Sequence, residues 1–377
     1  MASHHHAGGQ IDQVTDRRRG TGLVALDRAR SFGGYTLVAP QTGGGRVYLV
    51  DIDGTVAHEW ALPVRPGRHA VLLPNGNLGY NGSHPDSPEI YPAWPLWHGG
   101  LFLEVTPKGE VVWQHEDLGH HHDAQWLDDG SLLYTVAEPM PAEAARRVAG
   151  GSSRNDLPDG TVYGDVVKQV DRAGRTIWEW RSWEHLDPAD YPIHPIFDRY
   201  HWPLINGVGT TRGGLVLMSL RTTSGVLGVE RATGAVAWAI RHDTVAQQHT
   251  PVELPSGAIL VFDNGNLRPG VTSPHSRVIE VEPGTGEVVW QYVDPMRPAF
   301  FAPYMGSAQR LPNGNTLVCE SPFGRLFEVT PGGDTVWDYV MPWFAEYPEG
   351  GARRYAGGLQ NSTFRAYRYA KEQIPWL

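Results

Sequence analysis

The sequence predicts an all-β chain folded as a six-bladed β-propeller of four-stranded antiparallel blades. Three observations carry that reading. An alternating strand, a Gly-containing turn and a second strand ending in Trp recur six times, at Trp60, Trp113, Trp178, Trp238, Trp290 and Trp337. An apolar strand pair with its own turn glycine precedes most of these hairpins, as in RHAVLLPNGNLGYN from Arg68 and QHTPVELPSGAILVFDNG from Gln248. Finally, 45 Gly, 30 Pro and 14 Trp in 377 residues suit short strands and tight turns better than long helices.

Taken in order, residues 1–33 read as a tail or N-terminal arm, and residues 34–377 as one propeller domain. MASHHHAGGQIDQVTDRRRG carries a basic run with no apolar segment after it, so it is not read as a secretory leader and a cytoplasmic location is expected. His4, His5 and His6 read equally as native residues or as a shortened tag and are set aside. The first repeat, from Gly34 to Leu62, lacks its histidine-bearing leading strand. GGLQNSTFRAYRY from Gly357 lacks a hairpin after it. The C-terminal strand is therefore expected to complete the first blade and close the ring, which removes exposed sheet edges.

The hairpin glycines Gly54, Gly109, Gly174, Gly234, Gly286 and Gly333 stand 47 to 65 residues apart. One blade needs about 50, so the surplus is assigned to insertions at 83–98, 138–160 and 183–200. A glycine fixed at a turn implies backbone with positive φ. A Trp fixed in each repeat implies packing between adjacent blades, with the indole N–H on a partner. Cys319, the single cysteine, lies in an apolar strand pattern and reads as a buried structural thiol.

The formal charge of −10 argues against a general nucleic-acid or anionic-membrane surface, and no stretch is apolar enough to span a bilayer. The functional signal lies in the leading strands. Eight residues before the turn glycines Gly76, Gly130, Gly257 and Gly314 stand Arg68, His122, His249 and Gly306. His201 opens the fourth blade, and His69 is one residue past the aligned position. Innermost propeller strands all run the same way along the channel, so these imidazoles are expected to meet at one mouth. The run His120-His121-His122 permits a slip of one residue, which makes His121 the reserve candidate.

The QHT opening followed by FDNG and a nearby Arg, the HHDAQWLDDG blade and the six Gly-and-Trp hairpins resemble the arylsulfotransferase (ASST-type) propellers. The resemblance implies an enzyme that moves a sulfuryl group between aryl oxygens through a histidine, on a small aromatic and anionic substrate, with no cofactor. By matching motif it implies His249 as a channel histidine and Arg268 as an anion-binding residue, with Asn264 in the FDNG turn. His122 and His201 fall at the other equivalent blade starts, giving His249, His122 and His201 as the catalytic set and Arg68 as a forked donor. On the later blade where the family's covalent histidine is expected, the chain reads FAPYMGSAQRLPNG and offers Tyr304, Ser307 and Gln309, so Tyr304 and Gln309 are taken as substrate-binding. YPAWPLWHGG from Tyr91, with Phe300, Phe301 and Tyr304, would wall an aryl pocket.

Two alternatives stand beside this reading. His69, His122, His201 and His249 would suit iron, copper, zinc or manganese, with Asp123 or Glu253 behind them, for an oxidation, lyase or hydrolysis reaction. A non-catalytic binding propeller would give the histidines no chemical role.

Overall fold

The computed structural model describes residues 20–377; residues 1–19, including His4 to His6, lie outside the described residues. Six antiparallel four-stranded arrays form in chain order, the fold class expected of a six-bladed β-propeller. Blade 1 runs Thr363–Tyr369, Tyr35–Pro40, Arg46–Asp51 and Val56–Ala61, from its inner to its outer strand. Blade 2 is Pro66–Leu72, Leu78–Ser83, Gly100–Val105 and Val111–Glu116, and blade 3 is His120–Trp126, Leu132–Pro139, Tyr163–Val170 and Thr176–Arg181. Blade 4 comprises Ile205–Thr210, Val216–Leu220, Gly225–Val229 and Val236–Ile240. Blade 5 comprises His249–Glu253, Ile259–Asp263, Arg277–Val281 and Val288–Tyr292, and blade 6 Ser307–Arg310, Thr316–Glu320, Arg325–Val329 and Thr335–Val340. Within the segment expected as tail or arm, Gly22–Leu26 adds a fifth strand to the outer edge of blade 6, pairing with Thr335–Val340.

The chain divides into two compact units. One holds the described residues to Gly82, Leu103–Trp113 and Met305–Leu377; the other holds Ser83–Phe102 and Gln114–Tyr304. In the first unit, the C-terminal strand completes blade 1 as expected, with Tyr369 opposite Tyr35 and Tyr367 opposite Leu37. The Trp337 indole of blade 6 donates to the Ile52 carbonyl in the hairpin turn of blade 1 at 2.9 Å. Gln309 on the inner strand of blade 6 uses both ends of its amide on the C-terminal strand, donating to Arg368 O at 3.0 Å and accepting from Arg368 N at 2.7 Å. Val38, Tyr48 and Val50 pack with Leu317, Leu326 and Trp337 into a core between these two blades.

The same interlock is made at two further seams. Trp60 donates to Thr106 O at 3.1 Å, and Trp178 to Arg231 O at 3.0 Å, each from one blade's outer strand to the next blade's turn. A Trp buries a large apolar face only if its polar N–H finds an acceptor, and the turn carbonyl supplies one. That turn is available because its glycine takes a left-handed conformation: Gly54, Gly109, Gly174, Gly234, Gly286 and Gly333 all have φ between 72° and 91°. Cys319 is buried, and burial pushes its thiol up to about 12, as a structural cysteine requires.

Removing residues 358–377 takes away the inner strand of blade 1 and exposes the edge of Tyr35–Pro40. The truncated chain should aggregate or lose cooperative unfolding. A monomer with an unchanged thermal transition would show that blade 1 does not need this strand.

Candidate functional site

The three histidines opening blade 3 do not follow simple strand alternation. His122 takes φ of 57°, and the register with the neighbouring strand shifts between Tyr134 and Val136. Left-handed backbone at a non-glycine residue costs of order 1–3 kcal/mol and persists where surroundings impose it. Here Thr135 imposes it, because its hydroxyl donates to His121 O within the bulge. His120 turns back to Thr135 O at 2.7 Å, while His121 points to the carboxylate of Asp165, with Nε2 2.9 Å from Oδ1.

Asp165 opens the third strand of blade 3 and is fully buried. Its Oδ1 also faces His201 Nε2 at 3.1 Å, and its Oδ2 accepts Ile205 N–H at 3.0 Å. On its far side His201 Nδ1 lies 2.9 Å from the Tyr91 hydroxyl, and His121 Nδ1 lies 2.9 Å from His122 Nδ1. Around this core stands an aromatic wall. Tyr91 stacks on Tyr200 at 4.9 Å and meets Trp94 edge-on at 5.2 Å, while Trp97 lies 5.3 Å from the His122 ring. The insertion expected to wall an aryl pocket thus supplies Tyr91, Trp94 and Trp97. Tyr200 also lines a cavity of about 330 Å³ with Leu157, Val162, Arg146 and Arg199.

Blade 5 builds a second arrangement. His249 Nδ1 is 2.7 Å from Asn264 Oδ1, and Asn264 Nδ2 donates to Ala302 O at 2.8 Å. That carbonyl fixes which end of the amide faces the imidazole. Nδ1 must then carry the proton, which places the lone pair of the neutral ring on Nε2. Asp263 accepts Arg268 Nη2 at 2.9 Å, Arg277 Nε at 2.7 Å and the Ala246 amide at 2.8 Å. Arg268 Nε is buried with no hydrogen-bond partner among the described residues. Gly265 makes this packing fit: with φ of 71°, a Cβ there would stand 2.1 Å from the His275 carbonyl oxygen and 2.5 Å from Arg268 Nη2. Backbone strain flanks His249 as well, with φ of 54° at Gln247 and 52° at Thr250.

The sequence-derived site residues fall as follows. His122 and His201 both adjoin His121, whose ring centroid is 5.1 Å and 4.8 Å from theirs. His201 differs from expectation in its strand: His201–Trp202 pairs in parallel with Tyr163–Gly164 of blade 3, and the inner strand of blade 4 starts only at Ile205. Asp123 and Glu253 are engaged elsewhere, Asp123 accepting Val208 N–H at 2.7 Å and Glu253 accepting Arg212 N–H at 2.7 Å. Tyr304 is exposed, whereas Phe300 is buried against Phe262 at 5.6 Å. Arg68, His69 and Gln309 belong to the other compact unit. There Arg68 Nη1 meets Gln41 Oε1 at 3.3 Å, His69 lies 6.1 Å from the Phe364 ring, and Gln309 holds the Arg368 backbone.

Sequence reasoning passed over Asp165, Tyr91 as a histidine partner, and Arg221. Arg221 follows the second strand of blade 4 and lies 4.6 Å from the Phe197 ring. Burial pushes its guanidinium down to about 10, against the upward pull of the Tyr200 and Tyr304 phenols. Among the described residues it pairs with no carboxylate, so it is a cation beside two phenols that remains charged at neutral pH.

Burial raises the Asp165 carboxyl, but His201 and His121 outweigh it and hold the group well below its ordinary 3.8. Between that depressed value and 3.8 the unfolded chain binds the proton more readily than the folded one. Stability therefore rises with pH across the interval, is complete above it and is lost as pH falls through it. Asp165→Asn should remove this slope, read as denaturant midpoints from about pH 2 to about pH 5. Equal slopes in variant and wild type would mean Asp165 does not hold this charge. Gln309→Ala should lower stability by about 1–2 kcal/mol while leaving KM for any turned-over substrate unchanged; a raised KM at unchanged stability would assign Gln309 to the substrate instead.

The comparisons with known proteins fit this architecture. No curated protein matches the chain. A protein of unknown function from Bacteroides caccae is similar in structure, with a TM-score of 0.51 at 13% identity, covering 81% of this chain and 93% of that one. A streptogramin B lyase structure aligns with a TM-score of 0.46 at 10% identity, covering 92% and 96% of the two chains. Kuenenia stuttgartiensis hydrazine synthase aligns with a TM-score of 0.42 at 12% identity, covering 89% and 96%. At 13% identity the likeness to the Bacteroides caccae protein bears on the fold alone. Among the described residues no helix is long and apolar enough to cross a membrane. The family model for arylsulfotransferase (ASST) matches residues 100–341, more than half of the chain, and covers both the His121–Asp165–His201 cluster and the His249–Asn264 pair; the chain belongs to the arylsulfotransferase (ASST) family.

Proposed function

We propose that this arylsulfotransferase-like protein transfers a sulfuryl group between aryl oxygens, with His249 as the nucleophile. The observation that carries the reading is the Asn264 bond, which keeps the proton on Nδ1 and leaves Nε2 as the nucleophilic nitrogen. In the first half-reaction the Nε2 lone pair forms a bond to sulfur, the sulfur–aryl oxygen bond breaks with its electron pair on oxygen, and a protonated imidazole supplies that oxygen's proton. In the second, the acceptor phenol gives its proton to the same imidazole while its oxygen displaces Nε2 from sulfur. His122 is assigned this acid–base role, with His201 and Asp165 behind His121 holding its neighbour in place.

Charge on the sulfuryl oxygens needs donors whose hydrogen-bonding capacity is not already used. Arg268 supports this role through its buried, unpartnered Nε–H, and Arg221 through its lack of a carboxylate partner among the described residues. The aromatic wall of Tyr91, Trp94, Trp97 and Tyr200 supports an aryl substrate.

With 4-nitrophenyl sulfate as donor and phenol as acceptor, the wild type should release nitrophenol in an acceptor-dependent way. His249→Ala should lower kcat at least about a thousandfold with an unchanged thermal transition, and intact-mass analysis of the wild type mixed with donor alone should show one added sulfuryl group that the variant lacks. Arg268→Lys should not restore what Arg268→Ala loses, because the forked geometry is absent. Full turnover by His249→Ala would remove His249 from the chemistry.

A further inference from the structure

We infer that His121, Asp165 and His201 form a binding site for one first-row divalent cation of zinc type. This site is distinct from the four-histidine set His69, His122, His201 and His249 considered from sequence, and it does not rest on the sulfuryl-transfer reading. Its ligand atoms, one from each residue, all lie within 4.8 Å of one another, and all three residues are buried. Zinc holds imidazole nitrogen and carboxylate oxygen at about 2.0–2.2 Å, which sets neighbouring ligands of a tetrahedral ion about 3.3 Å apart. The two nitrogen–oxygen separations, 2.9 Å and 3.1 Å, are within a few tenths of an ångström of that spacing. An ion is admitted when the two nitrogen–oxygen pairs open by a few tenths of an ångström and the two imidazole nitrogens settle within reach of one point, inside the 4.8 Å the cluster spans.

Charge and orientation argue for the same occupant. The Asp165 carboxyl is fully buried, and among the described residues no Lys or Arg pairs with it. A bound cation between it and the two imidazoles would supply the counter-charge that the surrounding side chains do not. Every ligand is also fixed from behind, as metal ligands commonly are. Ile205 N–H holds Asp165 Oδ2 at 3.0 Å, the Tyr91 hydroxyl faces His201 Nδ1 at 2.9 Å, and His122 Nδ1 faces His121 Nδ1 at 2.9 Å. Two imidazoles and a single carboxylate favour zinc or iron(II) over magnesium or calcium, which require mostly oxygen ligands. Three protein ligands leave a fourth position for a solvent oxygen or an oxygen of an anionic ligand.

The test uses the full chain with His4, His5 and His6 replaced, stripped with chelator and then titrated with zinc ion alone. Calorimetry and elemental analysis after dialysis should give about one zinc per chain, with a raised thermal transition. His201→Ala and Asp165→Asn should each weaken zinc binding at least about a hundredfold. X-ray absorption at the zinc edge of the wild type should show two imidazole nitrogens and a carboxylate oxygen, a readout that stands even where a variant fails to fold. Binding of no zinc, unchanged affinity in a folded His201→Ala, or an absorption spectrum without two imidazoles would overturn the site and leave a protonated imidazole as the counter-charge of Asp165.

Discussion

The constraint on which the site depends is that a carboxylate cut off from water must have its oxygens occupied by donors. Asp165 meets it with Ile205 N–H on one oxygen and His201 Nε2 on the other, which His121 Nε2 also faces at 2.9 Å. Because Ile205 begins the inner strand of blade 4 while Asp165 and His121 belong to blade 3, one side chain sets both the seam between two blades and the aim of two histidines. Asp123 repeats the device two positions beyond His121, accepting Val208 N–H from the same strand of blade 4. The inner strand of blade 4 is therefore pinned twice by buried carboxylates of its neighbour. Loss of either leaves an amide donor without its acceptor, a cost of about 1–3 kcal/mol before any effect on chemistry.

Blade 5 divides similar tasks among three consecutive residues. Asp263 neutralises a guanidinium and holds the Ala246 amide, Asn264 sets the protonation of His249, and Gly265 yields the space that Arg268 fills. Each needs its own chemistry: a charged acceptor, a neutral group with both a donor and an acceptor, and the absence of a Cβ. An aspartate in place of Asn264 could still accept from His249 but could not donate to Ala302 O while ionised, and its charge would favour the imidazolium over the neutral ring.

Much of the fold was legible in the sequence because the turn glycine and the docking Trp are obligatory and period-locked. Both the positive φ of Gly54 and its equivalents and the reach of Trp337 to Ile52 follow from a single repeated pattern. The strand completing blade 1 was legible by elimination. The candidate site was legible only in part. Register counting selects His122, but the left-handed φ there turns the chain so that His121 reaches Asp165, and alternation cannot foresee a bulge held by Thr135. His201 was found without its strand, since a two-residue parallel pairing has no periodicity. Asp165, Tyr91 and Arg221 carry no repeat signal: an aspartate opening an apolar strand, a tyrosine inside an insertion and an arginine between strands look alike whether or not they serve a site.

The charge balance at blade 5 bears on which group such a site would accept. Two guanidinium groups, Arg268 and Arg277, share the single carboxylate of Asp263, leaving a surplus of one positive charge. Arg277 also directs its remaining donors to Thr244 O at 2.6 Å and Gln291 Oε1 at 3.3 Å, so the surplus is expressed at Arg268, where a buried N–H lacks an acceptor among the described residues. One uncompensated charge matches a sulfate monoester, which carries one negative charge. A phosphate monoester, with its second pKa near 6 and a charge approaching −2 at neutral pH, would be left under-neutralised in a site of low dielectric, where Coulomb energies are least screened. By removing half of the local positive charge, Asp263 would bias any anion bound at Arg268 toward the monoanion.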